Sequence, residues 1–136
     1  MKILIDTNVI MDVLQERLPH YDYPSKAFNL IVERKAGYIT ATQTKDIFYF
    51  VEKEIGSEDK AKQVIMRLCK YFDILDVLSV DVENALNSDM SDYEDALIAQ
   101  CAARCGISYI ITRNIKDFEA SPVPAISPKS FLEIKI

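Results

Sequence analysis

Three consecutive apolar residues, Ile3-Leu4-Ile5, open this chain with no polar position between them. A strand with one face in water alternates apolar and polar residues, whereas an unbroken apolar run is covered on both faces. Tyr109-Ile110-Ile111 repeats the pattern. Segments with apolar residues three and four apart lie between such runs. The periodicity predicts strands at 2–6, 38–40, 73–77, 109–112 and 124–126. It predicts helices at 9–16, 25–35, 42–55, 57–71, 79–87 and 92–105. Gly37, Gly56 and Gly106 close three of these, and Ser57 caps one. In the helix at 42–55, Ile47, Phe50, Val51 and Ile55 form one apolar stripe. Strands alternating with helices imply an α/β chain with a parallel sheet covered on both faces. In such sheets ligands bind beyond the carboxyl ends of the strands.

The chain shows no linker, internal repeat or low-complexity segment, so residues 1–136 are expected to form a single domain. A hydrophobic content of 49% is enough for a sizeable core. No apolar run approaches the roughly 18 residues of a membrane span, and Asp6 interrupts the first run too early for a secretory signal. A cytoplasmic location without membrane contact is expected. Cys69, Cys101 and Cys105 are then small buried residues in a reducing compartment rather than a disulfide or zinc set. His20, beside Pro19, reads as a solvated loop residue. The net charge of −5 argues against a broad basic face for nucleic acid. A chain like this needs a metal ion or a basic partner to offset its charge if it handles nucleic acid.

Four segments deliver polar groups to the expected edge of the sheet. Asp6 stands at the carboxyl end of the first strand. Asp, Thr and Asn are all good helix caps. A cap alone accounts for Thr7 and Asn8, but three capping types in a row exceed what one helix needs. Asp46 falls early in a helix after a short strand, where an acid complements the helix dipole. Ser91 and Glu94 have capping-box spacing. Asp92 and Asp95 are left over, three apart on one face. Surface solvation serves Asp92 equally well, whereas Asp95 borders the apolar run Ala96-Leu97-Ile98-Ala99 and needs a partner. Thr112 ends a buried strand and leads into Arg113, Asn114, Lys116 and Asp117, a cluster that an ordinary turn also explains. There is no glycine-rich phosphate loop and no Ser-His-Asp set. Clustered carboxylates without histidine or thiolate suit the hard cations Mg²⁺ or Mn²⁺. Such a cation activates water and stabilises charge on a phosphoryl group.

The motifs I-D-T-N-V at 5–9, T-A-T-Q-T-K-D at 40–46, D-Y-E-D-A-L-I-A at 92–99 and I-T-R-N-I-K-D-F at 111–118 resemble those of PIN-domain proteins. More narrowly, they resemble the VapC-type ribonuclease toxins. The resemblance covers nearly the whole chain, with the motifs in order. It implies a three-layer α/β/α fold around a parallel sheet of four to five strands. It also implies a Mg²⁺- or Mn²⁺-dependent endoribonuclease that leaves a 5′ phosphate and a 3′ hydroxyl. The family's catalytic acids fall on Asp6, Asp46 and Asp95. The second is usually glutamate, and aspartate is one methylene shorter. Either Asn114 or Asp117 supplies the fourth position, so the implied metal set is Asp6, Asp46, Asp95 and Asp117. Thr7, Asn8, Asp92, Thr112, Arg113 and Asn114 are the implied supporting or substrate-contacting residues. Lys45, Lys53, Arg113 and Lys116 are expected to flank an RNA groove. A small antitoxin protein and a homodimer are the implied assemblies.

Three other readings compete. A degenerate PIN fold used as a binding or scaffold module would account for Asp46 in place of glutamate and for the acidic surface. A phosphoacceptor receiver domain requires a pair of acids after the first strand, where this chain has Asp-Thr-Asn. A phosphatase of the D-x-D type lacks its motif here for the same reason.

Overall fold

The computed structural model describes residues 1–16 and 22–134 of the 136. In chain order the elements are β1 (Ile3–Ile5), α1 (Thr7–Leu14), α2 (Asp22–Arg34), β2 (Gly37–Thr40) and α3 (Ala41–Ile55). They continue with α4 (Glu58–Tyr71), β3 (Asp73–Leu75), α5 (Ser79–Leu86), α6 (Tyr93–Arg104) and β4 (Tyr109–Ile111). A 3-10 turn (Ile115–Phe118), β5 (Ala125–Ile126) and α7 (Pro128–Glu133) complete the described chain.

The five strands form one all-parallel sheet in the order β3-β2-β1-β4-β5. Successive side chains of a strand point to opposite faces. The unbroken apolar runs therefore feed two cores. Ile3, Ile5, Ile39 and Ile111 meet Ile10, Ile31, Ile47, Leu68 and Phe131 on one face, under α1, α2, α3, α4 and α7. Leu4 and Ile110 meet Ala85, Leu97, Ile98 and Phe118 on the other, under α5, α6 and the 3-10 turn. The result is the expected three-layer α/β/α arrangement, with five strands. Chain order reverses between β1 and β4, so the crevice at their carboxyl ends is the place where such a sheet binds ligands. No helix among the described residues is long and apolar enough to cross a membrane.

Several boundaries differ from the sequence reading, each for a local reason. α1 begins at Thr7 rather than 9, because Asp6 itself is the cap. α2 begins at Asp22, since Pro24 in a first turn is compatible with a helix. Gly37 does not close α2 but starts β2: a Cβ there would stand 2.4 Å from the ring of Phe72, which fills the space. Phe28 meets that ring edge-on at 5.2 Å. β3 stops at Leu75 and β5 begins at Ala125. The short α7, capped by Ser127 with Pro128 in its first turn, was not anticipated. The α3 stripe is narrower than its periodicity implies: Ile47 and Val51 are buried, whereas Phe50 and Ile55 are exposed. Cys69 is exposed, contrary to expectation, while Cys101 is buried. Phe72 is core and Tyr49 lies on the surface. Pro19 and His20 lie outside the described residues.

An ion pair between the buried Asp81 and the exposed Arg104 ties the layer of α5 and α6 together. Arg104 Nε donates to Asp81 Oδ1 at 2.9 Å and Arg104 Nη2 donates to Asp81 Oδ2 at 3.0 Å. Asp81 Oδ2 also accepts from the Leu78 N–H. Burial pushes the Asp81 carboxyl up, but these hydrogen bonds outweigh it and hold the group below its ordinary range.

Candidate active site

Asp6 follows β1 directly, and Thr112 follows β4 directly; Ile5 and Ile111, the residues before them, are paired in the sheet. The register therefore brings residues from opposite ends of the chain side by side at the crevice. Thr112 Oγ1 donates to Asp6 Oδ2 at 2.8 Å, and the Thr7 N–H donates to Asp6 Oδ1 at 2.8 Å. The two explanations of Asp6, helix cap and site residue, are both satisfied by one carboxylate. Thr112 is fully buried, and its oxygen accepts from the Asn114 N–H at 3.1 Å and from Asn8 Nδ2 at 3.4 Å. The single hydroxyl proton of Thr112 is committed to Asp6, so Asn8 must present its amide NH₂. That leaves Asn8 Oδ1 buried with no hydrogen-bond partner among the described residues.

Gln43 was not anticipated as part of this site. It is buried and joins three elements: Nε2 donates to the Ile5 carbonyl at 2.8 Å and to Thr7 Oγ1 at 3.3 Å, while Oε1 accepts from the Thr40 N–H at 2.8 Å. The Thr40 hydroxyl accepts from the Gln43 N–H in return, a reciprocal capping box that starts α3. The T-x-x-Q spacing at 40–43 was the available signal. By contrast, the expected box of Ser91 and Glu94 is replaced by Asp92, whose Oδ1 accepts from the Asp95 N–H at 2.9 Å and caps α6.

A cavity of about 500 Å³ opens over the crevice. Asp6, Thr7, Asn8, Asp46, Asp95 and Asn114 line it, together with Glu94 and one cation, Lys45. Asp92, Thr112, Arg113 and Asp117 are not among its lining residues. Of the two candidates for the fourth position, Asn114 lines the cavity, while Asp117, exposed on the 3-10 turn, acts on Asp95 through its charge. Arg113 turns to α1, where its Nε donates to the buried Asp12 at 2.6 Å. Lys116 is exposed, and Lys53 lies 6.0 Å from the Tyr49 ring.

The acids strain one another. Burial pushes the Asp6 carboxyl up against the hydrogen bonds from Thr112 and Thr7; Asp92 adds to the rise and Arg113 opposes it. Burial, then the charges of Asp6, Asp92, Asp117 and Glu94, push Asp95 up to about 7. Among the described residues no three acidic, histidine or cysteine side chains are grouped as a ready cage for one ion. Mg²⁺ and Mn²⁺ do not need such a cage: Mg²⁺ in particular is held through one or two carboxylates with waters completing the shell. The oxygen-only donors of Asp6 and Asp95, the uncompensated charge around them and the unpartnered Asn8 Oδ1 fit a hard cation on those terms.

A family model described as PIN domain matches residues 2–116. Ribonuclease VapC1 of Aquifex aeolicus (strain VF5) is 25% identical over 137 residues, covering 97% of this chain and 94% of that protein. Among solved structures, VapBC2 from Rickettsia felis, bound to a DNA fragment from its promoter, superposes with a TM-score of 0.73. It is 17% identical and covers 93% of this chain and 98% of its own. DNA-bound VapBC from Salmonella typhimurium superposes with a TM-score of 0.69 at 19% identity, covering 94% of this chain and 98% of its own. At these identities the two structures speak for the fold.

Proposed function

This chain belongs to the PIN domain family, and from that premise we propose that it is a metal-dependent endoribonuclease, the toxin of a toxin–antitoxin pair. The observation that carries the reading is that Asp6 and Asp95 line one cavity at the crevice between β1 and β4, where the Asp6 charge helps to push Asp95 up. The likeness to Ribonuclease VapC1 over nearly the full length of both chains supports it. Asp6 and Asp95 would hold one Mg²⁺ or Mn²⁺, with Asn8, Asn114 and Asp46, whose side chain is one methylene shorter than glutamate, available to it from the same cavity. When bound, such a cation supplies an acidified water and neutralises charge on a phosphodiester.

The chain's own residues do the rest. Thr112 and the Thr7 N–H fix both oxygens of Asp6, so that carboxylate does not reorient when substrate arrives. Gln43 holds the residues on either side of Asp6, through the Ile5 carbonyl and the Thr7 hydroxyl. Lys45 offers a phosphate contact in a cavity whose other charged lining residues are all acids. The same reading implies a cognate antitoxin, which would set a basic side chain among these carboxylates. It also implies a homodimer, and a cytoplasmic location where RNA is at hand.

A second reading, a non-catalytic binding module on the same fold, has on its side Asp46 in the place of the usual glutamate and the net charge of −5. Cleavage of a mixed RNA pool separates the two. Purified protein is incubated with Mn²⁺, with Mg²⁺ and with chelator, beside Asp6→Asn. Cleavage that requires metal and disappears in the variant supports the nuclease. Equal background in every lane, from folded and partner-free protein, favours the binding module.

A further inference from the structure

The acidic cavity is also lined by two aromatic rings that folding leaves in water. Phe50, on α3, is 45% exposed, and Tyr93, the first residue of α6, is 44% exposed. α3 is anchored to the core through Ile47 and Val51, so Phe50 contributes little to packing. Tyr49 meets Phe50 edge-on at 5.6 Å and carries the aromatic surface along α3, where Lys53 lies over the Tyr49 ring. Lys45, Tyr49 and Lys53 recur every fourth residue, so the exposed face of α3 alternates cation and ring over about 12 Å.

A nucleic-acid strand usually gains affinity by setting phosphates on several Lys and Arg side chains and releasing counterions. This cavity has a single cation among its lining residues and four acids, Asp6, Asp46, Glu94 and Asp95. Phosphate contacts alone cannot hold a strand there. Stacking of unpaired bases on aromatic faces is the other common source of affinity, and it does not depend on charge. A cavity of about 500 Å³ suits one nucleotide rather than the width of a duplex.

We propose that Phe50 and Tyr93 form a nucleobase subsite that stacks an unpaired base of the RNA beside the carboxylates, with Lys45 on a flanking phosphate and the Tyr49–Lys53 face of α3 guiding the strand. The proposal rests on the ribonuclease reading and assigns the contact with the base to Phe50 and Tyr93.

The test is fluorescence anisotropy of a labelled single-stranded octaribonucleotide, beside the same sequence as a duplex, with the full chain and with Phe50→Ala, Tyr93→Ala, Phe50→Tyr and Tyr93→Phe. Each alanine variant is expected to bind the single strand roughly 5- to 100-fold more weakly. The ring-retaining variants stay near the unsubstituted protein, and an abasic position in the oligonucleotide cancels the alanine effect. The duplex binds more weakly than the single strand. Binding should also respond weakly to salt, with a log–log slope near −1.4 for about two phosphate contacts. Met66→Ala, an exposed position on α4 outside the cavity, controls for general surface effects. If the protein cleaves RNA and both alanine variants bind and cleave unchanged, the subsite is overturned and the nuclease reading stands. If binding depends on the rings but no metal supports cleavage, the nuclease reading falls and the subsite stands. If the unsubstituted protein does not bind single strands at all, the subsite is overturned and the rings are left as a surface for a protein partner.

Discussion

Thr112 and Asp6 lie 106 positions apart in sequence, and their side chains share a 2.8 Å hydrogen bond at the carboxyl ends of adjacent parallel strands. Thr112→Val keeps the shape of the buried residue and removes the donor. We expect RNA cleavage to fall about 10- to 100-fold, with a weaker response to Mn²⁺. Thr112→Ser should retain most of the rate. Unchanged metal-dependent cleavage in the valine variant would remove Thr112 from the site.

Gln43 is expected to matter for both stability and rate. Gln43→Leu leaves the Thr40 N–H and the Ile5 carbonyl without their side-chain partner, which should cost about 2–4 kcal/mol in urea unfolding. Gln43→Glu is the more informative variant. It keeps an acceptor for Thr40 but turns a carboxylate oxygen toward the Ile5 carbonyl. Unfolding free energies equal to the starting protein in both variants would contradict this role.

Metal-free protein should lose stability as pH rises from about 4 to about 7. Asp95 titrates near 7 when folded, against an ordinary 3.8. Over that interval the folded state holds a proton that the unfolded chain has released, so raising the pH favours unfolding. Asp95→Asn removes the penalty and should raise the Tm at pH 8 by roughly 3–8 °C. It should also abolish cleavage. Thermal melts in chelator across this range would refute the assignment if the two proteins showed parallel pH profiles.

The Asp81–Arg104 pair behaves in the opposite sense. Asp81 is held below its ordinary range, so its contribution is present above that range and disappears as pH falls through the lowered value. Arg104→Met removes the guanidinium partner of the Asp81 carboxylate and should lower stability at neutral pH. The double variant Asp81→Leu/Arg104→Met should recover most of that loss. Additive losses in urea titrations would show that the two residues do not act as a pair.

Much of this structure was legible in the chain because it depends on local pattern. The unbroken apolar runs at Ile3-Leu4-Ile5 and Tyr109-Ile110-Ile111 disclosed a doubly covered parallel sheet, and the position of Asp6 and Thr112 at the ends of those runs disclosed the crevice. What escaped depends on contacts that sequence spacing does not encode. Gln43 has the local spacing of a capping box, but its bonds to Ile5 and Thr7 exist only once β1 and α3 are adjacent. Ser91 and Asp92 are neighbouring capping candidates, and a shift of one residue decides between them. Phe50 shares the periodicity of the buried stripe of α3, yet of the apolar residues in that stripe only Ile47 and Val51 are buried. Asp81 and Arg104 lie in separate helices, so no local period links them.

The sheet order has a consequence for the life of the chain on the ribosome. β1 is made long before its neighbour β4, and Asp6 acquires its Thr112 partner only when β4 docks. Closing so long a loop is slow compared with forming the local helices. The growing polypeptide therefore carries Asp6 without an assembled site until β4 has been made. On the proposed nuclease reading, this order leaves the message and the ribosome that are making the chain without an assembled active site beside them while the residues between β1 and β4 are being added.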